Sequence, residues 1–172
     1  MPHTIAVEDL LPAQQSDPDF FSRLGIRVFR GSGAGARELD ARRIDWQRLG
    51  PERFPYRLLQ TPGPLNSLGR YKLVMDNPWD IYLHDTPSRR LFELASRTLS
   101  SGCIRLEQPE TLVQLLLAGT PLPAGTEDGT RTRTVTLPRP IPVYIVYLTS
   151  WVTPTGEVNF RPDVYGRDAG LQ

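Results

Sequence analysis

Proline and glycine occur throughout this chain at a frequency that long helices do not tolerate. Its 172 residues include 17 prolines and 14 glycines. Proline lacks the backbone donor that helices and ladders need, and glycine favours turns. The sequence therefore predicts one domain of short strands, turns and a few short helices, and it argues against a helical bundle.

Charge and hydropathy exclude two classes of partner. The net charge is +1, so no strong field attracts the chain to nucleic acid or to anionic lipid. The longest apolar run, 141–148, is far too short to cross a bilayer. Residues 1–15 do not combine a basic start with an apolar run, as a signal peptide would. Taken alone, these features indicate a cytoplasmic location.

Helix signals occur at three places. A short helix is expected over 7–11, limited by Pro12. A second should start at 17–19 and end at Gly25, with aromatic side chains facing a core. The third starts at Pro109 and ends near Ala118. Its run of leucines predicts a helix that is buried on most of its surface.

Strand signals dominate the rest of the chain. The strongest is 141–151, which is apolar on both faces and is therefore expected at the centre of a sheet. The segment 119–133 is polar and rich in turn residues, and is expected to be mobile. The further predicted strands are 26–30, 55–60, 70–75, 79–84 and 157–161.

The chemistry-bearing residues form two short motifs. Cys103, the only cysteine, lies in Ser-Ser-Gly-Cys-Ile-Arg at 100–105, and His84 lies nineteen positions upstream. A nearby imidazolium lowers a thiol pKa from about 8.5 by several units, so the pair can supply a nucleophile. Gly102 lets a carbonyl approach the backbone, whose N–H groups can hold an oxyanion. Arg105 would share the face of Cys103 in an extended segment.

Structural interpretations of the same residues remain open at this point. A lone cysteine is often a small buried hydrophobe. His84 could be a structural histidine at a strand end, and Arg105 could be solvated. His3, the only other histidine, lies near the chain terminus, which argues against a two-histidine metal site.

Longer motifs around the pair are those of a known family. Tyr-Leu-His-Asp-Thr-Pro at 82–87, followed by 100–105, resembles the L,D-transpeptidases of the YkuD type, in their long periplasmic YcbB-like branch. The segments 61–72, 142–149 and 160–165 are similar to the flanking motifs of that branch, in the same order. The family usually has histidine where this chain has Ser101, but the YcbB-like branch resembles this chain in having serine there.

The resemblance implies a fold and a domain organisation. The expected class is mainly β with short helices (α+β), as a β-sandwich L,D-transpeptidase catalytic domain. The chain resembles the C-terminal part of that branch, so 1–172 is expected to be one partial catalytic domain without its first strands. Residues of about 8–60 would form a cap, and 61–166 would form the active-site core.

The resemblance also implies a reaction. Cys103 would attack the third residue of a peptidoglycan tetrapeptide stem, and D-alanine would leave. An amine of a second stem would attack the thioester, which gives a 3→3 cross-link, with His84 as the base. Oxyanion and substrate binding would fall to Gly102, Ser101, Tyr82 and Arg105.

Partners and location follow from the same resemblance. The expected partners are donor and acceptor stem peptides, with carbapenem β-lactams as inhibitors of Cys103. No cofactor, metal or nucleic acid is expected. The implied location is periplasmic, with membrane attachment only through a segment upstream of this chain. A non-catalytic wall-binding remnant and a carboxypeptidase that uses water as the acceptor are the alternatives.

Overall fold

A computed structural model describes residues 1–122, 129 and 131–170. It contains two compact units, Met1–Thr136 and Leu137–Gln172. Short strands in small mixed sheets alternate with short helices, which confirms the predicted α+β class. The part of 119–133 that spans 123–128 and 130 lies outside the described residues, so the mobility predicted there stays a prediction. No helix in the described parts is long and apolar enough to cross a membrane.

The first sheet carries the main core of the N-terminal unit. Strand β1 (Ile26–Arg30) lies between β2 (Arg37–Leu39) and β3 (Tyr56–Gln60), and both pairings are antiparallel. Its inward side chains alternate with exposed arginines, as the sequence predicted for a half-buried strand. The core residues of this sheet and of the elements packed on it are Ala6, Val7, Leu11, Phe21, Ile26, Val28, Trp46, Phe54 and Leu58.

Three helical segments precede this sheet. A π-helical segment (Ile5–Leu10) continues directly into α1 (Leu11–Ser16), and α2 (Phe20–Arg23) follows. The predicted helix end at Pro12 is therefore wrong. Proline is in the first turn of α1, where a backbone N–H would have no helical partner in any case. The predicted helix after Pro18 is confirmed, with Gly25 in the left-handed region at φ +62°.

The second sheet has three short strands. Strand β4 (Lys72–Val74) pairs antiparallel with β5 (Tyr82–His84), and β5 pairs parallel with β6 (Ile104–Arg105). The strands predicted over 70–75 and 79–84 are confirmed as shorter elements. Single 3-10 turns connect the larger elements of the chain: Gly33–Gly35, Ala41–Arg43, Trp46–Arg48, Arg89–Glu93 and Asp168–Gly170.

Helix α3 (Pro109–Leu117) follows β6 and has the predicted bounds. Pro109 occupies its first turn, and Ala118 ends it in the left-handed region at φ +50°. The predicted burial of this helix is wrong, because Leu115 is 75% exposed. Only Pro109 and Leu117 are buried, so the helix packs through one narrow side although leucines occupy most of its surface.

The C-terminal unit contains one hairpin. Strands β7 (Ser150–Val152) and β8 (Val158–Phe160) pair antiparallel around a turn with Gly156 at φ +86°. The predicted final strand is confirmed, but the predicted central strand over 141–151 is wrong except at its end. Tyr144 is 85% exposed, and no described residue pairs as a strand with 141–148. A β-prone sequence forms a strand only where another backbone completes its hydrogen bonds.

Candidate active site

Strand register places His84 between two cationic side chains. Lys72 of β4 is its partner on one side, and Arg105 of β6 is its partner on the other. Side chains directly opposite each other on neighbouring strands project from the same face of a sheet. The histidine ring therefore shares its face with an ammonium and a guanidinium group.

The same register brings Cys103 level with Tyr82. Leu83 pairs with Ile104 in the parallel ladder, so the residues that precede them, Tyr82 and Cys103, also lie opposite each other. Because strand side chains alternate with a period of two, Cys103 shares a face with Arg105, and Tyr82 shares a face with His84. The two residues predicted to act together thus lie on one face of adjacent strands.

The Tyr82 hydroxyl is the group that interacts directly with the thiol. Burial, then the charge and the hydrogen bond of Cys103, raise the pKa of Tyr82 to about 12. The Lys72 Nζ lies 3.8 Å from the centroid of the Tyr82 ring, and the Tyr82 and His84 ring centroids lie 5.8 Å apart. The hydroxyl therefore stays protonated at neutral pH and can donate to the sulfur.

His84 is held as one tautomer. Only 5% of the residue is exposed, and its Nδ1 lies 2.5 Å from the Asp85 carbonyl oxygen. A carbonyl can only accept, so Nδ1 carries the proton and Nε2 keeps its lone pair. Burial is the main cause that lowers the pKa of His84, and the charges of Arg105 and Lys72 lower it further. A neutral imidazole with a free Nε2 is the form of a general base.

Asp85 is a buried residue that sequence reasoning missed. It is 3% exposed, and its carboxylate accepts from the backbone N–H groups of Arg70 at 2.8 Å and Thr86 at 2.6 Å, and from the Arg89 guanidinium at 2.6 Å. The available signal was an acid directly after the histidine with an arginine four positions later. The partner that a linear pattern does not reveal is Arg70, which is 15 positions upstream.

Gly102 gives the loop before β6 its shape. Its φ is +122°, a region that residues with a Cβ rarely adopt. The Ser100 hydroxyl donates to the Cys103 carbonyl at 2.8 Å, and the Gly102 N–H reaches the Ser100 Oγ at 3.4 Å. The glycine predicted beside the thiol is therefore required by the backbone.

Ser101 does not join the other predicted residues. Its hydroxyl donates to the exposed Asp9 carboxylate at 3.1 Å. Arg105 does join them, and its Nε is buried without a hydrogen-bond partner among the described residues. A buried guanidinium N–H without an acceptor costs free energy, and the rest of the guanidinium has the fork geometry that suits a carboxylate.

Comparison with known proteins decides the family. The profile of the L,D-transpeptidase catalytic domain, YkuD, matches residues 1–145. The chain belongs to the YkuD-type L,D-transpeptidase family. A Haemophilus influenzae protein named "Putative L,D-transpeptidase" is 38% identical over 170 residues, which cover 94% of this chain and 32% of that protein. The chain therefore spans about a third of the length of this curated relative.

Family membership accords with the motifs that contain His84 and Cys103. The YkuD match includes both the strand that carries His84 and the loop that carries Cys103. As an L,D-transpeptidase domain, the chain belongs to a family that acts on peptidoglycan stem peptides. The resemblance predicted from the sequence is thus confirmed.

Proposed function

We propose that this chain carries the catalytic site of a peptidoglycan L,D-transpeptidase, with Cys103 as the nucleophile and His84 as the base. The observation that carries the proposal is the shared face of β5 and β6, on which the thiol adjoins the Tyr82 hydroxyl, and the Tyr82 ring lies 5.8 Å from the ring of His84. A thiol needs a base to act near neutral pH, and His84 is the candidate base on this face.

The first half-reaction forms a thioester. The Nε2 of His84 takes the proton of Cys103, and the sulfur attacks the carbonyl carbon of the third residue of a tetrapeptide stem. The bond from that carbon to the nitrogen of the terminal D-alanine breaks. His84 returns the proton to the departing nitrogen, so D-alanine leaves with a neutral amino group. The acyl chain stays bound to Cys103 as a thioester.

The second half-reaction releases the acyl chain. A side-chain amine of a second stem attacks the thioester carbonyl and loses a proton to His84. The carbon–sulfur bond breaks, the thiolate recovers that proton, and a 3→3 cross-link results. Water in place of the amine would give a shortened stem and a free carboxylic acid.

Negative charge that develops on the carbonyl oxygen needs donors. The backbone N–H groups of Gly102 and Cys103 and the hydroxyl of Tyr82 are the proposed oxyanion donors, and the 3.4 Å bond from Gly102 to Ser100 is long enough to be exchanged for a better acceptor. Arg105, which shares the face of His84, is the proposed partner of a diaminopimelate carboxylate.

Localisation and inhibition are part of the same proposal. Peptidoglycan stems are found outside the cytoplasmic membrane, so the proposed location is the periplasm, and the proposed inhibitors are carbapenems that acylate Cys103. Both rest on family membership together with the thiol site.

Product analysis separates the possible activities. The protein is incubated with tetrapeptide stems, and the products are identified by mass spectrometry. We expect D-alanine and a cross-linked dimer. A tripeptide alone would indicate the carboxypeptidase, and binding without any product would favour the wall-binding remnant and contradict the proposed function.

Two variants locate the chemistry. Cys103→Ala should abolish both products, because no other thiol exists in the chain. His84→Ala should lower turnover about 10²- to 10⁴-fold, the usual contribution of a general base. His3→Ala, which replaces the only other histidine, is the matched control and should behave like the unmodified chain.

A further inference from the structure

We propose that the Asp85 carboxylate is a positioning group, which fixes the Nδ1–H tautomer of His84 by immobilising the Asp85 backbone carbonyl. This inference rests on the proposed role of His84 as the base. Asp85 itself touches neither the thiol nor the carbonyl to be attacked. It acts through the carbonyl oxygen that accepts from the histidine ring at 2.5 Å.

Every hydrogen-bonding group of Asp85 is engaged. Its backbone N–H donates to the Tyr71 carbonyl at 2.8 Å. One carboxylate oxygen accepts from Arg70, and the other accepts from Thr86 and Arg89. The peptide unit that presents the carbonyl to His84 cannot rotate unless at least one of these bonds breaks. Because the carboxylate is buried, each broken bond would leave a charge without compensation.

Gly69 provides the space that the carboxylate occupies. A Cβ placed on this glycine would lie 2.3 Å from the Cγ and the Oδ2 of Asp85, far inside van der Waals contact. The glycine also has φ +59°, which few other residues adopt. The loop before β4 therefore leaves room for the Asp85 carboxylate, which distinguishes this contact from an incidental surface contact.

Arg89 connects the carboxylate to the cysteine-bearing segment. Its guanidinium donates to the Asp85 carboxylate and also to the backbone carbonyl of Glu107. Next to that carbonyl, the Leu106 N–H donates to the His84 carbonyl at 2.8 Å. The network therefore ties the strand that carries His84 to the end of the segment that carries Cys103.

The alternative is a purely structural ion pair. An ion pair would stabilise the fold, but it would not determine which nitrogen of His84 carries the proton. The two roles therefore differ in one observable, the tautomer of the imidazole. Only two histidines are present, so ¹⁵N NMR of the imidazole nitrogens gives a spectrum that His3→Ala assigns.

The decisive variant is Asp85→Asn. The carboxylate accepts hydrogen bonds at both of its oxygens, but an amide has only one oxygen. The NH₂ group would therefore face a donor, either the Arg70 N–H or the pair formed by Thr86 and Arg89. We expect the unmodified protein to show His84 protonated at Nδ1 only. Asp85→Asn should show a mixture that includes the Nε2–H form, with kcat lowered about 10- to 100-fold at nearly unchanged KM, as for other groups that orient a ligand.

Asp17→Asn is the matched control. Asp17 also accepts from an arginine, Arg23, and from a backbone N–H, that of Asp19. That pair is exposed and has no connection to His84. The control should leave the tautomer and kcat unchanged.

One outcome would overturn the proposal. An Nδ1–H tautomer and a kcat that both persist in Asp85→Asn would assign the acid to structure alone. If Asp85→Asn does not fold, as judged by near-UV circular dichroism, Arg89→Ala decides by the same two readouts, because the Arg89 side chain is half exposed. The tautomer is measured without substrate, so an inactive unmodified protein would contradict the proposed function and leave this test intact.

Discussion

Tyr82 shows how a single residue sets the reactivity of the site. Its pKa is raised to about 12, first by burial and then by the neighbouring Cys103. The hydroxyl therefore remains a donor at neutral pH. A hydrogen bond to a charged group contributes about 1.5–3 kcal/mol, so we expect the Tyr82 hydroxyl to assist reaction at the sulfur.

Tyr82→Phe should make Cys103 less reactive. Loss of the donor is expected to slow alkylation by iodoacetamide at pH 7 about 10- to 100-fold, since a hydrogen bond to a charged group contributes about 1.5–3 kcal/mol. Intact mass reads the reaction directly, because the chain has one cysteine. Tyr71→Phe is the control, since the Tyr71 hydroxyl contacts Glu110 instead. An unchanged alkylation rate in Tyr82→Phe would contradict a role for this hydroxyl in the reaction at Cys103.

Elements with local signals could be predicted from the sequence. Pro109 and Gly119 bracket α3, and the alternation over 26–30 gives β1. These features depend on backbone chemistry within a few residues. The same holds for the hairpin turn at Gly156, whose positive φ suits a residue without a Cβ.

Elements that depend on distant partners could not be predicted. Residues 141–148 have the composition of a central strand, yet pairing is decided by another backbone. The exposure of Leu115 has the same origin, because burial requires an element on the opposite side. The apolar pattern indicates which faces of an element can be buried, but it does not indicate which other element packs against them.

The candidate site divides in the same way. His84 and Cys103 could be predicted, because few residue types support thiol chemistry and each motif is short. Asp85 could not, since its surroundings depend on Gly69 and Arg70, which lie in the loop before β4. The sequence could not predict either that Ser101 binds outside the group of the other site residues, because its partner Asp9 is 92 positions away.

At the scale of the whole molecule, His84 couples the site to stability. Its pKa in the folded chain is lowered from 6.5, mainly by burial. Below about pH 6.5 the unfolded chain therefore binds a proton that the folded chain does not. The free energy of unfolding should fall as the pH drops through that value, and it should be independent of this residue at higher pH.

Urea unfolding at two pH values tests this coupling. When the pH is lowered from about 7.5 to about 5.5, the urea concentration at the unfolding midpoint should fall more in the unmodified chain than in His84→Asn. The variant has no imidazole at position 84 to protonate. Asp85 favours protonation of the ring, while Lys72 and Arg105 oppose it. His3→Asn, at an exposed position, should keep the full dependence. Equal changes in the unmodified chain and in His84→Asn would contradict the coupling.

The mass of the protein after exposure to a carbapenem tests most directly whether Cys103 is the nucleophile. We expect one adduct on the peptide that contains Cys103, none in Cys103→Ala, and formation about 10²- to 10⁴-fold slower in His84→Ala. An adduct that persists in Cys103→Ala, or a folded unmodified chain that never acquires one, would contradict the assignment of this thiol as the nucleophile.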